Sequence, residues 1–596
     1  MLRFIAGLIA GALACFCYAQ DDAVVVTATR FPQPRSQTLQ PVTVITAQDI
    51  AQSGQQTLVE VLQALGGVET VNNGGFGQPS GVFMRGANIG HTLVLIDGMR
   101  LSSATAGSTA LENIPLAQVE RIEVVPGQLS SLYGSDAIGG VIQVFTKGGK
   151  DAPAASASAG VGSYGTSSLG AGIRRTLGAT DVSVNAGYFD TKGFDATKPS
   201  IPFGIHNPDR DAYRNENVSA KLAHHLAEGH ELGLNVFQSD GKTHFDNGPT
   251  SDDVNHQTLT AYSIYSANQM SKVWKSLVRV AEGTDDQKIS GAFPGFFTTR
   301  QPQLTWQNDI VIGPGTAIAG VEYLTQHVSS DTPYTQTYRS VKSAFGGYTG
   351  HYGRHFWQAN VRQDDNSQFG NHSTGLLGYA YALTSALRLR VGAGTAFKAP
   401  TFNDLYFPGF SNPNLRPERS RSKEAGAIYE RAGHRLSATY FENRITDLIV
   451  LDPTFTPQNL ARARIKGSEL AYQAFFGGLQ VRAQATFQDP VDDATGKLLP
   501  RRARQYGTLA INHAMGAWRL GGEVVASGAR FDRPGEDPAT RMHGYGLVNL
   551  TASYALTRAL SLRARWNNIF NRDYELAQNF NTPGSNVFVA LQYQTP

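Results

Sequence analysis

Two polar stretches of this 596-residue sequence gather carboxylates at close spacing. Asp195 is followed fourteen positions later by Asp209 and then by Asp211, and a second stretch supplies Asp246, Asp252 and Asp253. If the stretches meet in space, their carboxylates can share one place only when a hard cation neutralises them. Ca²⁺, which takes about six to eight oxygen ligands in flexible geometry, suits such a set. Asp is also a common turn residue, so the residues alone leave both readings open. Asn207 adds a neutral oxygen of the right type, and no stretch has the spacing of an EF-hand.

Other chemistries are poorly served. The fourteen histidines include no H-E-x-x-H pair or other zinc spacing, and His224-His225 reads as a strand-end pair. Gly160-Val161-Gly162-Ser163-Tyr164-Gly165 satisfies G-x-G-x-x-G, but no helix pattern opens there, so these glycines are assigned to a strand and its turn rather than to a nucleotide. No serine stands in a nucleophile-elbow context. The expectation is a protein that is not an enzyme and uses no nucleotide cofactor. A formal net charge of +3 makes no electrostatic case for a nucleic-acid partner.

The elements that must position the acidic stretches fall into regions of different texture. Residues 1–19 read as an export signal, with Arg3, an apolar run from Phe4 to Tyr18 and small Ala19 before polar Gln20. Cys15 and Cys17 both lie inside it, so the exported chain is expected to have neither disulfides nor thiolate chemistry. From Gln20 to Lys150 strand and helix signals mix. Thr46 precedes a short helix start, Leu58, Val61, Leu62 and Leu65 recur at helical spacing before Gly66-Gly67, and Thr92–Asp97 and Val119–Val125 are β-branched runs. This predicts a small α+β unit over 20–150.

From 151 to 596 the pattern is two-residue alternation. Leu479, Val481, Ala483, Ala485 and Phe487 alternate with Gln480, Arg482, Gln484 and Thr486, and similar runs include Leu387–Ala393, Leu560–Trp566 and Val587–Tyr593. Only 17% of residues are charged, below the roughly 25% of soluble domains, which suits a protein whose polar content is uncharged, as on the lumen side of a barrel. Aromatic residues near segment ends (Tyr188-Phe189, Tyr379, Tyr440-Phe441, Tyr554, Trp566) fit the girdles of a membrane barrel. No apolar run after the signal approaches eighteen residues, so a membrane could be crossed only by a closed β-barrel. At about ten residues per strand and as many per connection, about 22 antiparallel strands are expected, with long loops at Thr191–Asn217 and Asp240–His256. So wide a lumen needs a plug, and the α+β unit is the candidate.

The N-terminal motifs, Phe83-Met84-Arg85-Gly86, Leu93–Gly98, Val119–Val124 and Leu132-Tyr133-Gly134-Ser135-Asp136 through Ile142, resemble the plug of TonB-dependent receptors. The run Arg30-Phe31-Pro32-Gln33-Pro34-Arg35-Ser36, with Asp364–Gly370, Lys398-Ala399-Pro400, Asn412–Leu415, Ala463–Gly467 and Asn568-Ile569-Phe570, is most similar to the cobalamin (vitamin B12) receptor subgroup. The resemblance implies a monomer in the bacterial outer membrane that imports a corrinoid, with a siderophore receptor as the nearest alternative and a passive porin or adhesin as a different class. It implies that Asp22, Ala23, Val24, Val25, Val26, Thr27 and Ala28 form a TonB box, a segment that adds as a strand to the energy-transducing protein TonB. It implies ligand contacts at Asn72, Asn73 and Gln78 and at Ser103, Ala104, Thr105 and Ala106, neutral residues suited to the many amides of a corrinoid. It also turns the acidic cluster Asp195, Asp209, Asp211, Asp246, Asp252 and Asp253 toward calcium that orders the outer loops. Tyr593 stands where the family's terminal aromatic residue is expected, with three residues after it.

Overall fold

Local signals build the N-terminal unit first. The computed structural model describes residues 23–149, 152–452 and 454–595; the expected export signal, both cysteines and Asp22 lie outside the described residues. Thr46 and Thr57 open two helices, Ala47–Ser53 and Leu58–Gly66. Each Thr hydroxyl accepts from an amide of the first turn, and Asp49 or Glu60 reaches back to the capping amide. Gly54 and Gly67 end the helices in left-handed backbone. At Gly67 a Cβ would run into the Gln484 side chain on the surrounding wall, so this helix end fits its site only as glycine. The helices cover a five-stranded sheet in the order Thr43–Thr46, Val119–Pro126, Gly140–Thr146, Thr92–Ile96, Met99–Arg100, with Thr92–Ile96 parallel to Gly140–Thr146.

Around this unit, 22 antiparallel strands close into a barrel, the first, Ala155–Gly162, pairing with the last, Asn586–Gln594. The glycines of the G-x-G-x-x-G run do lie in that first strand and the turn after it. Alternation does what the pattern predicts. Leu389, Val391, Leu562 and Trp566 are exposed on the outside, while Arg388, Arg390, Arg482 and Arg565 are buried in the bore. Among the described residues no helix is long and apolar enough to cross a membrane, so crossing falls to the strands. Turns such as 178–179, 228–229 and 272–273 mark the periplasmic rim, and long connections such as 192–212 and 399–417 mark the outer one.

The unit fills the bore as a plug and shares its core with the wall. Ile45, Val61, Leu62, Ile122 and Ile142 belong to one apolar cluster with Phe237, Leu259, Ala261 and Ala281 of the barrel. Each such large side chain contributes about 1.5–3 kcal/mol on burial.

Two expectations need correction. Asp240–His256 is not a long loop: strand His230–Asp246 and strand Asp252–Ser271 continue into it and leave only residues 247–251 as the turn. Likewise the loop from Thr191 ends before Tyr213, where strand Tyr213–Ala227 begins. Pairing satisfies the backbone even beyond the membrane, so β-branched and aromatic residues extend the hairpins and strands reach 20 residues. Nor do all the segment-end aromatics belong to a girdle. Phe441 is buried in the bore, and Phe189 packs 5.5 Å from Phe76 of the plug.

Candidate functional site

The acidic stretches meet at the outer rim. Asp246, at the end of its strand, approaches two sets at once: Asp195 with His206, and Asp209 with Asp211, each set offering ligand atoms within 4.8 Å of one another. Much of what restrains them is backbone. Asp211 accepts from the Ala196 amide at 2.7 Å, Asp195 from the Thr197 amide at 3.2 Å, and Asp246 from the Asn207 amide at 3.2 Å and from the Thr197 hydroxyl. Burial, followed by the Asp246, Asp209 and Asp195 charges, pushes the Asp211 carboxyl up to about 7 against the pull of the Ala196 amide. Burial also raises Asp195 and Asp209, and Asp252 adds to the field at Asp209. Asp252 itself faces His244 at 2.8 Å. Asp253 does not join: it accepts from Asn247, Ser251 and the Ala292 amide, and so orders its own turn. His206 escaped the sequence reading, because a single histidine eleven positions after Asp195 has no recognisable spacing.

Two plug loops face the same rim. Asn72 spends its side chain on its own loop, accepting from the Gly74 and Gly75 amides and donating to the Gly75 carbonyl. Gln78 is buried and donates to the His244 carbonyl, which ties this loop to the strand bearing Asp246. In the second loop Ser103, Ala104 and Thr105 are buried, with the Thr105 and Thr299 hydroxyls 2.7 Å apart. Asn73 is half-buried and Ala106 is exposed. Of the seven residues, Asn73 and Ala106 are thus the side chains available to a ligand in this state. The second loop instead leans on aromatic residues that the sequence reading missed. Ala104 packs with Phe402, Tyr334 and Tyr406, and Phe297 bridges Tyr334 to Phe407, which in turn meets Phe410. The signal was the dense Tyr406-Phe407-Pro408-Gly409-Phe410 run, a loop too apolar to be solvent-facing by default.

At the periplasmic end, residues 23–28 are docked rather than loose. Val24–Val25 pairs antiparallel with Gln33–Pro34, and Val25 and Ala28 are buried with Val125, Leu132 and Val141. One oxygen of Glu123 accepts from the Val26 amide at 3.0 Å, the Thr27 amide at 2.9 Å and the Thr27 hydroxyl at 2.7 Å. Tyr133 donates to the Thr27 carbonyl and Gln358 of the wall to that of Ala28. A cavity of about 550 Å³ lies beside Val26 and Arg30 at the rim. Glu123→Ala is expected to move the docked segment toward release by about tenfold, since hydrogen bonds to a charged acceptor contribute about 1.5–3 kcal/mol. A spin label on Val24→Cys reads this as a mobile spectrum, and an unchanged spectrum removes Glu123 from the role of holding the segment.

Residues 155–569 match the family model described as TonB dependent receptor-like, beta-barrel, and residues 34–141 match the TonB-dependent Receptor Plug Domain. The chain belongs to the TonB-dependent receptor family. Over 602 residues it is 33% identical to a Vibrio vulnificus protein named vitamin B12 transporter BtuB, covering 96% of this chain and 95% of that one. A Photobacterium profundum protein of the same name is 32% identical over 616 residues, with 98% and 99% covered. Among solved structures, a mutant of the ferric enterobactin receptor PfeA from Pseudomonas aeruginosa superposes with a TM-score of 0.80 at 19% identity, covering 96% of this chain and 100% of that one, a likeness of fold. The receptor is an outer-membrane protein and not an enzyme.

In this TonB-dependent receptor buried ion pairs also join the plug to the wall. Arg30 meets Glu322 at 2.6 Å, and Arg362 meets the same carboxylate at 2.6 Å. Arg85 meets Glu424 at 2.8 Å and Glu469 at 2.7 Å, and Arg530 meets Glu69 at 3.3 Å. Such pairs add little net stability but fix geometry. They also leave polar surfaces that water can wet when plug and wall part, which an apolar seam would resist.

Proposed function

We propose that this receptor imports cobalamin or a closely related corrinoid across the outer membrane, powered by TonB through residues 22–28 and exported beforehand by residues 1–19. The supporting observation is similarity over nearly the whole chain to two proteins named vitamin B12 transporters. The neutral loop residues and the aromatic cluster around Ala104 fit a large ligand that offers amides and an extended ring. The siderophore alternative draws only on likeness of fold at 19% identity, and a plug that fills the bore leaves a passive porin no role. Direct titration decides: cyanocobalamin should bind and a ferric siderophore panel should not, and siderophore binding alone removes the corrinoid reading. Removing the ring of Phe410, half exposed beside Phe407, as in Phe410→Ala, is expected to weaken cyanocobalamin binding by about tenfold.

The acidic rim fits calcium by its donor set, since Asp195, Asp209, Asp211 and Asp246 crowd oxygen ligands, with His206 joining Asp195 and Asp246. Those residues would hold the ion, with Asp252 and Asn207 beside them, and the bound charge would order the loop 192–212 against the strand ending at Asp246. The pH dependence follows from Asp211. Its carboxyl sits near 7 against 3.8 ordinarily, so its contribution to loop stability is fully present below about pH 4 and is lost as pH rises through 7. Calcium affinity should therefore climb between pH 5.5 and 8, and Asp246→Asn should lower it by at least about tenfold. Calorimetric titration with CaCl₂ tests both, and flat affinity across that window sinks the assignment.

A further inference from the structure

On the outer face of the wall, a run of three neighbouring strands sets three arginines directly against each other. Strands Glu418–Arg431, His434–Leu451 and Pro457–Phe476 pair so that Arg421 lies opposite Arg444, and Arg444 opposite Arg464. One row toward the loops, Arg419 and Arg462 flank Thr446; one row toward the membrane, Lys423 and Lys466 flank Glu442. All seven cations point away from the bore, because the residues alternating with them, such as Ser420, Asn443, Ala463 and Ile465, are buried inside it.

Directly opposed like charges destabilise a sheet, and the protein supplies few anions here. Glu442 is divided between Lys423 at 3.1 Å and Arg444 at 2.8 Å, and Asp493 reaches Arg464 and Arg462 only at 3.5 and 3.8 Å. Among the described residues, Arg419 and Arg421 have no carboxylate within ion-pair distance, and Lys466 stands opposite Asp489, whose carboxylate is held by Arg504 at 3.3 Å. Elsewhere near the outer rim, Arg214 stands between Lys242 and Asp190 and meets that carboxylate at 3.0 Å, and Lys342 lies opposite Asp365. Just below the cations, Tyr440, Leu470 and Phe487 begin the exposed apolar band. The rows therefore sit at the level where the headgroups of the outer leaflet meet the wall.

We propose that these rows bind the phosphates of an acyl-anchored lipid headgroup in the outer leaflet. Arginine forks match phosphate oxygens in pairs, and three guanidiniums in line present more donors than one phosphate uses. The apolar band beneath would receive the acyl chains, a hold that a dissolved anion lacks. The ring of lipid around the receptor is thereby given one preferred contact, on the wall that carries Glu424 and Glu469 on its inner side.

The test uses the full-length receptor in detergent, with bisphosphorylated lipid A as the probe and native mass spectrometry as the readout. Arg421→Gln with Arg444→Gln and Arg464→Gln is expected to weaken binding by about a hundredfold, at about fivefold per basic residue at a membrane surface. The same three positions changed to Lys should stay within about tenfold of the original. Should the triple Gln variant fail to fold, Arg444→Gln alone decides, with a loss of about fivefold expected. Millimolar inorganic phosphate and the deacylated headgroup should not displace the lipid. Undiminished binding by the Gln variants, or displacement by inorganic phosphate as effective as that by lipid, overturns the proposal.

Discussion

Val25→Pro is expected to abolish TonB-driven uptake while leaving cyanocobalamin affinity within about twofold. Strand addition recognises main-chain donors and acceptors rather than side chains, and proline removes a donor and cannot take a place in a ladder that needs it. The docked state tolerates the change better than the partner would. Val25 belongs to a two-residue ribbon with Gln33–Pro34, whose Pro34 already lacks an amide, and the neighbouring Val26 and Thr27 amides stay on Glu123. Val25→Ala keeps the amide and should retain most of the uptake, which separates the backbone requirement from the side-chain one. Uptake of labelled cyanocobalamin by cells, alongside binding at the cell surface with the energy supply blocked, measures both halves. Full uptake with the proline variant would mean that residues 22–28 are only the first strand of the plug.

The docking of this segment shows why part of the site was hidden in the sequence. Helix boundaries at Thr46 and Gly67 are local, each set by a cap within a few residues, and they could be read directly, whereas the boundaries at Gly54 and Thr57, equally local, were not read. So could the face of each barrel strand, since a two-residue period needs no partner to be seen, and the strand number followed from length once the period was clear. Glu123 lies 96 residues from Thr27 and Gln358 lies 330 from Ala28, so nothing near residues 22–28 signals that they are held. The acidic rim divides in the same way. Asp195, Asp209 and Asp211 are neighbours in sequence, but whether Asp246, Asp252 or Asp253 joins them depends on how far their strands continue before turning. Asp253 is lost to its own turn for that reason. Phe441 and Phe189 were misread because an aromatic residue at a strand end looks alike whether it faces lipid or plug. Only the parity of its neighbours, Asn443 and Ile445 inward and Tyr440 outward, tells them apart.

That inward face leads to the second large effect. Arg85→Met is expected to destabilise the seating of the plug by about 3 kcal/mol, at the lower end of the cost of leaving one side of a buried ion pair uncompensated. Arg85 stands in left-handed backbone at φ 50°, which a residue with a side chain adopts only when its surroundings hold it there. The hold is visible: Glu424 and Glu469 take its guanidinium, which also lies 4.9 Å over the Phe441 ring. Burial pulls its pKa down, but the Glu469 and Glu424 carboxylates more than offset this, so the charge is permanent. Methionine keeps the bulk and loses the charge, leaving the strain without its restraint. Glu424 retains Arg390, whereas Glu469 loses its ion-pair partner on the plug and is left facing the seam. Water should follow, so amide exchange at residues 84–86 should rise by about a hundredfold, and cells carrying the variant should admit large polar antibiotics that the parent excludes. Adding Glu469→Gln to Arg85→Met should recover most of the lost protection, because the penalty lies in the stranded Glu469 carboxylate and not in the missing contact, whereas Glu424 must stay charged to hold Arg390. If the single variant exchanges as slowly as the parent, the plug is held by its apolar cluster with Phe237 and Leu259 instead, and the ion pairs only set its orientation.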